Sequence, residues 1–258
     1  MQCKKLNVPP PACAEAAETE TVKAAFSGFQ RKKIEQALYA ARIPGAMAAT
    51  ILRAEESYFL TALSAVLAGD PALYLLVDKT HPFDPLKYAP DDLVELTGGT
   101  YRASRSGLKL RREAAAALER MARAALAEGV TLTASSAYRS YEYQVEVYAR
   151  NVKMSGQETA DRESAKPGYS QHQTGLVVDF GSITDAFAET AAGKWMRNNA
   201  ARFGWSLSFP AGYEEVTGYR WESWHYRYTG ETLAAFIDTY FGGIQQYALQ
   251  FIYEWEKL

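Results

Sequence analysis

Between residues 109 and 128 the apolar positions recur at intervals of three and four. Leu118, Met121, Ala122, Ala125 and Leu126 share one arc of a predicted helix, and Gly129 stands where a left-handed cap ends it. The same period predicts a helical block over 21–69. Ala25, Phe26, Phe29, Ile34, Ala37 and Leu38 form a first stripe, Ile43-Pro44-Gly45 breaks it, and Ile51, Leu52, Tyr58, Phe59, Leu63 and Val66 form a second, ending near Gly69-Asp70. Residues 140–151 read as a helix with Ser140 as N-cap. Residues 194–203 read as another, closed by Gly204. Over 231–258, Leu233, Phe236, Ile237, Tyr240 and Phe241 make a last stripe, interrupted by Gly242-Gly243.

Strand-type runs are shorter: VTLTAS (130–135), LVVDF (176–180) and the aromatic-rich stretch 221–228. The segment LYLLVDKTHPFDPLKYAPDDLVEL starts as a strand-like apolar run. It then places three prolines within nine residues, which predicts an ordered, extended loop. Helices and short strands come in blocks, so an α+β fold is expected. The organisation read from these patterns is a tether over 1–20, an N-terminal helical extension over 21–70, and a main domain over 71–258.

The 258 residues, 48% hydrophobic and 22% charged, suffice for a sizeable core. A formal net charge of -2 gives no general pull toward nucleic acid. Aromatic residues reach 13%, which suits a groove for an extended ligand as well as it suits extra core. The chain contains no apolar run of the length a transmembrane helix needs. The start, rich in Pro, Ala and Glu, reads as a disordered tether without the plan of a signal peptide. It contains both cysteines. Cys3 is a candidate lipid-bearing residue of a bacterial lipoprotein; two inert thiols or a local disulfide are the alternatives.

Candidate chemistry lies in SQHQTGLVVDF (170–180) and RWESWHYRY (220–228). His172, Asp179 and His225 offer three donors of the kind that hold a catalytic metal, and Glu222, three residues before His225, offers a base. The spacing alone equally describes a buried histidine paired with an acid, and a half-buried strand with His225 in the core. His81, in the proline loop, is read as a surface or turn residue.

The blocks taken together resemble one family. SQHQTGLVVD is similar to the S-x-H-x-x-G-x-A-x-D signature of the VanY-type zinc D-alanyl-D-alanine carboxypeptidases. WESWHYRY resembles their E-x-W-H element, ASSAYRSYEYQ their S-x-Y-R-S-x-x-x-Q block, and VDKTHPFDPLKYAPDDLVEL the segment that opens their domain. The blocks run in the family's order from about residue 72 to 230. Val177 stands where Ala is frequent and Ser223 where Pro is common.

The resemblance implies a small antiparallel sheet carrying a Zn2+ site, flanked by helices. It implies His172, Asp179 and His225 as ligands, Glu222 as the base that takes a proton from the attacking water, and Arg139 as the stabiliser of the oxyanion. Ser170, Gln144, Tyr138 and Trp224 are then expected to contact the peptide. The implied reaction is removal of the terminal D-alanine from a peptidoglycan stem peptide, at the cell envelope. An L,D-carboxypeptidase acting on tetrapeptides, a peptidoglycan endopeptidase and a non-catalytic peptidoglycan-binding module are the rivals.

Overall fold

In the computed structural model, residues 28–258 are described; the expected tether, Cys3, Cys13, Ala25 and Phe26 lie outside them. The N-terminal periodicity becomes helix α1 (28–40), α2 (Gly45–Arg53) and α3 (Glu56–Leu67), followed by the short α4 (Pro71–Tyr74), with Asp70 as its N-cap. The second expected helix is therefore two. Ala54 and Glu55 adopt extended backbone between α2 and α3, which resets the phase of the stripe. Phe59, Leu63 and Val66 point inward, whereas Tyr58, one residue and about 100° away, is 68% exposed. Phe29 likewise faces outward.

No strand forms over 75–92; the proline segment is irregular, as its composition predicts. Strands β1 (Leu93–Glu95), β2 (Arg102–Ala103) and β3 (Lys109–Arg111) follow, then helix α5 (Arg112–Ala127). The helix expected from residue 109 thus begins three residues late, because Lys109–Arg111 pairs with Leu93–Glu95 instead. Ala114, Ala117, Leu118, Met121, Ala122 and Ala125 are its buried arc; Leu126 sits at the arc's edge and is exposed.

Next come β4 (Thr133–Ser136), α6 (Tyr141–Ser155), α7 (Gln157–Glu163) and β5 (Val177–Phe180). They are followed by α8 (Ala191–Asn199), β6 (Trp205–Leu207), α9 (Glu214–Thr217) and β7 (His225–Tyr228). Ser140 does cap α6, its Oγ accepting from the Tyr143 N–H. Of the expected strand over 221–228, only the second half is a strand.

The central sheet runs β2-β4-β5-β7-β6. It is antiparallel apart from the edge pair β2/β4, which is parallel. Alternation sorts its two faces. Val178, Phe180, Tyr226 and Tyr228 face a first core with α5 and α8. Val177, Asp179, His225 and Arg227, at alternate positions, face the other way.

The chain ends in α10 (Gly230–Phe241) and α11 (Gln245–Lys257), separated by Gly242 and Gly243, both at positive φ. These two helices form a second core with α1–α3, where Phe59 packs on Phe236, Tyr240 and Phe251. Arg227, fully buried, joins this layer to the sheet. Its Nη2 donates to the carbonyls of Ala72, Leu73 and Leu75 at the end of α4, and burial pulls its pKa down to about 10.

The proline loop is held by one carboxylate. Asp78 Oδ1 accepts from the Thr80 and His81 N–H groups, the Thr80 hydroxyl and His81 Nδ1, all within 3.0 Å, and Oδ2 accepts from Gln246 of α11 at 2.8 Å. Burial pushes this carboxyl up, but the donors outweigh it and hold the pKa below the ordinary value. A depressed folded pKa stabilises the native state above the unfolded value and ceases to do so as pH falls through the folded one. Asp78→Asn is therefore expected to cost about 1–3 kcal/mol near pH 7. The difference from wild type in denaturant titrations should shrink below about pH 4.

Candidate metal centre

The register of β5 against β7 pairs Asp179 with His225, and that of β4 against β5 pairs Ser136 with Asp179. Cross-strand partners on one face stand close. Asp179 Oδ1 lies 3.2 Å from His225 Nδ1, and Oδ2 lies 3.2 Å from His172 Nε2. His172 comes from a 3-10 turn, Gln171–Thr174, that Gly175 closes at φ +72°. A side chain on Gly175 would meet Arg111, Leu93 and Pro90 at 3.0–3.1 Å, so this turn needs glycine twice over, for backbone and for space. Gln173 fastens the turn to the proline loop by donating to the carbonyls of Leu86 and Tyr88.

The two imidazole centroids are 4.9 Å apart at 80°. His172 Nδ1 bonds the Ala137 carbonyl at 2.8 Å, leaving Nε2 for Asp179. His225 is reversed: Nδ1 faces Asp179 and Glu222 Oε2, the latter at 3.3 Å, while Nε2 faces Gln171 Oε1. Arg139 reaches over the group, Nη2 donating to Asp179 Oδ2 and to Ser136 Oγ, each at 2.9 Å.

Electrostatics separates the two histidines. Burial, helped by the Arg139 charge, pulls His172 down to about 4, so it is neutral at physiological pH. Burial acts on His225 too, but Asp179 and Glu222 outweigh it and lift it to about 9. Asp179 is held well below the ordinary carboxylate range: burial opposes this, and the two histidines prevail.

The donor set fits a metal ion. One nitrogen or oxygen from each of His172, Asp179 and His225 lies within 4.8 Å of the others, all three buried. Asp179 Oδ1 is a buried carboxylate oxygen without a hydrogen bond. Two imidazoles and one carboxylate match the ligand preference of zinc and its neighbours in the first transition row. Such an ion would also neutralise the carboxylates that hold a proton on His225.

This cluster lies on a cavity of about 460 Å³. Ser170, Gln144, Trp224, Glu222 and Arg139 line it, and Gln144 Oε1 is buried without a partner there. Tyr138 is partly buried but is not among the lining residues. The sequence pattern did not point to Arg220 or Phe209. Arg220 pairs with Glu163 and Asp185 at the cavity wall, and the Phe209 ring packs 4.6 Å from that of His225. Both are brought in by tertiary packing of loops, which leaves no periodicity to read. His81 lies away from the cluster, bonded to Asp78.

Among known families, the one described as VanY, D-alanyl-D-alanine carboxypeptidase, matches residues 107–231. YodJ of Bacillus subtilis is 38% identical over 63% of this chain and 62% of its own length. A D-alanyl-D-alanine carboxypeptidase of Enterococcus faecium is 32% identical over 53% of this chain and 42% of its own. The chain thus spans less than two thirds of either relative. Among solved structures, the LdcB LD-carboxypeptidase superposes with a TM-score of 0.58 at 35% identity, covering 66% of this chain and 85% of that one. The vancomycin-resistance D,D-pentapeptidase VanY, in complex with Zn(II), has a TM-score of 0.57 at 29% identity, covering 69% and 99%.

A transition-metal ion added at a hundredfold excess over its dissociation constant should stabilise the fold by about 2.7 kcal/mol, raising the Tm on the order of 5–10 °C. EDTA should reverse the shift, and Asp179→Ala should remove it. Gly175→Ala should lower the Tm of the metal-free chain and weaken the metal-dependent increment, because the turn that presents His172 must move. Differential scanning fluorimetry reads all of these.

Proposed function

The chain belongs to the VanY family of D-alanyl-D-alanine carboxypeptidases, and on that premise we propose that it is a zinc peptidase. In this reading it removes the terminal D-alanine from peptidoglycan stem peptides. The observation that carries the reading is the convergence of His172, Asp179 and His225 on one cavity that Glu222 and Arg139 also line. His172, Asp179 and His225 would hold the ion; when bound, zinc supplies a Lewis acid for the scissile carbonyl and lowers the pKa of water.

The chain's own residues do the rest. Glu222 takes a proton from the attacking water and returns it to the nitrogen of the departing D-alanine. The carbon–oxygen bond forms, the carbon–nitrogen bond breaks, and the products are a shortened peptide and free D-alanine. Arg139, a planar guanidinium with several N–H donors, stabilises the oxygen that becomes an anion in between. Ser170 and Trp224 bind the peptide, and the free Gln144 Oε1 accepts one of its N–H groups. A base beside the three donors favours this reading over a non-catalytic binding module, in which zinc would be held by four protein ligands.

Residues 71–258 form the catalytic domain in this proposal, and the described part of the N-terminal extension, 28–70, packs against it as a helical layer. The reaction places the protein at the bacterial cell envelope, with Cys3 as the residue that would carry a lipid. No helix of the described residues is long and apolar enough to cross a membrane. A second reading, an L,D-carboxypeptidase on tetrapeptide stems, is favoured by the 35% identity to LdcB.

Mass spectrometry of defined muropeptides separates these readings. Loss of one alanine from the pentapeptide alone supports the D,D reaction; loss from the tetrapeptide alone replaces it with the L,D reaction. No EDTA-sensitive cleavage of either substrate would overturn both. Glu222→Gln is expected to lose about 10²–10⁴-fold in kcat while still binding metal. Full activity in that variant would remove Glu222 from its role.

A further inference from the structure

Each ring of the metal centre has one nitrogen turned toward the cluster and one turned away. The outward nitrogen of His172 meets a backbone carbonyl, Ala137 O at 2.8 Å. The outward nitrogen of His225 meets a side chain instead, Gln171 Oε1 at 3.3 Å. Gln171 is 5% exposed and belongs to the same 3-10 turn that presents His172. Its oxygen also accepts from the Ser208 hydroxyl at 2.7 Å. Ser208, 2% exposed, holds His225 a second time through its backbone N–H, which donates to the His225 carbonyl at 3.1 Å.

Donor logic then sets the tautomer. A hydroxyl has one proton; two amide oxygens face it, Gln171 Oε1 at 2.7 Å and Gln245 Oε1 at 3.4 Å, and it goes to the nearer. That bond keeps Oε1, rather than the amide nitrogen, facing the ring. An amide oxygen only accepts, so His225 must bring its proton on Nε2. The lone pair of the neutral ring is left on Nδ1, which is the atom that faces Asp179 and Glu222. Turning the amide would set an N–H₂ group against Nε2 and move the ring proton to Nδ1, where it would block the metal.

We propose that Gln171 and Ser208 are positioning residues of the metal centre: together they fix the Nε2–H tautomer and the orientation of His225. The inference rests on the metal reading above. It assigns a role to a residue that the signature leaves variable, between Ser170 and His172. Partners that accept the outward N–H of a metal-bound histidine typically contribute about 10–100-fold in metal affinity.

The test is Zn2+ affinity of the full chain at constant pH, by competition with a chelating dye. The variants are Gln171→Ala, Gln171→Glu and Ser208→Ala, with the Tm of each metal-free protein measured alongside. Gln171→Ala is expected to weaken binding by about 10–100-fold, and Ser208→Ala by less. Gln171→Glu should bind at least as tightly as wild type, because a carboxylate also accepts from Nε2 and makes the ring a better donor. A role in packing alone would not produce that rescue.

Wild-type affinity in Gln171→Ala, or equal weakening in Gln171→Ala and Gln171→Glu, would overturn the inference. Should Gln171→Ala not fold, Ser208→Ala, which removes one hydroxyl, decides the matter: unchanged affinity overturns it. A wild-type chain that binds no Zn2+ would overturn the metal reading itself, and this inference with it.

Discussion

Asp179 and His225 face one another across β5 and β7, and this register is the constraint on which the centre depends. Strand side chains alternate, so a slip of either strand by one residue would turn its Asp179 or His225 toward the α5 core and bring Val178 or Tyr226 to the cavity. The slip is opposed by the core itself. Val178, Phe180, Tyr226 and Tyr228 are all buried in the core shared with α5 and α8, and the Tyr228 hydroxyl donates to Glu113 of α5. The hydrophobic face therefore sets the position of the polar one. Aspartate and histidine at the cavity follow from valine, phenylalanine and tyrosine at the back.

The rest of the centre is built around that pair. β4 contributes Ser136, which bonds Arg139, and the residue after β4, Ala137, bonds His172. Three neighbouring central strands thus supply or orient most of the groups, and the turn Gln171–Thr174 supplies the other histidine. The cost of gathering charge in a buried place appears in the opposed shifts of the two imidazoles. His172 is held neutral by burial, with the Arg139 charge beside it, while His225, beside two carboxylates that outweigh its burial, is held charged. A cation relieves this arrangement better than a proton does, since it can be shared among all three donors.

The helical layer is part of the same construction. α10 and α11 share a core with α1–α3, and Asp78 ties the proline loop to Gln246 of α11. Gln173 in turn ties that loop to the turn carrying His172. Arg227 reaches from β7, two residues after His225, to the carbonyls ending α4. Residues distant in the chain therefore brace the cavity from behind through buried polar bonds, which are costly to leave unmade.

Much of this was legible in the chain. The α5 arc, the Ser140 cap, the glycine stops at Gly129 and Gly204, and the extended proline loop all follow from local period and backbone preference. The resemblance of the motifs around His172, Asp179 and His225 pointed to these three residues, whose donor atoms the fold brings within 4.8 Å of one another. Other features were not legible, each for a physical reason. The break at Ala54–Glu55 and the strand at Lys109–Arg111 arise from packing and pairing with distant segments. The outward turn of Phe29, Tyr58 and Leu126 depends on which arc of each helix meets the core, and packing against distant segments decides that. The roles of Gln171, Ser208, Arg220 and Phe209 depend on loops meeting in space. The sequence by itself determined which residues have the chemistry and which strands and helices could carry them. Only the tertiary structure decided which atoms meet, because register, burial and hydrogen-bond direction are properties of segments packed together.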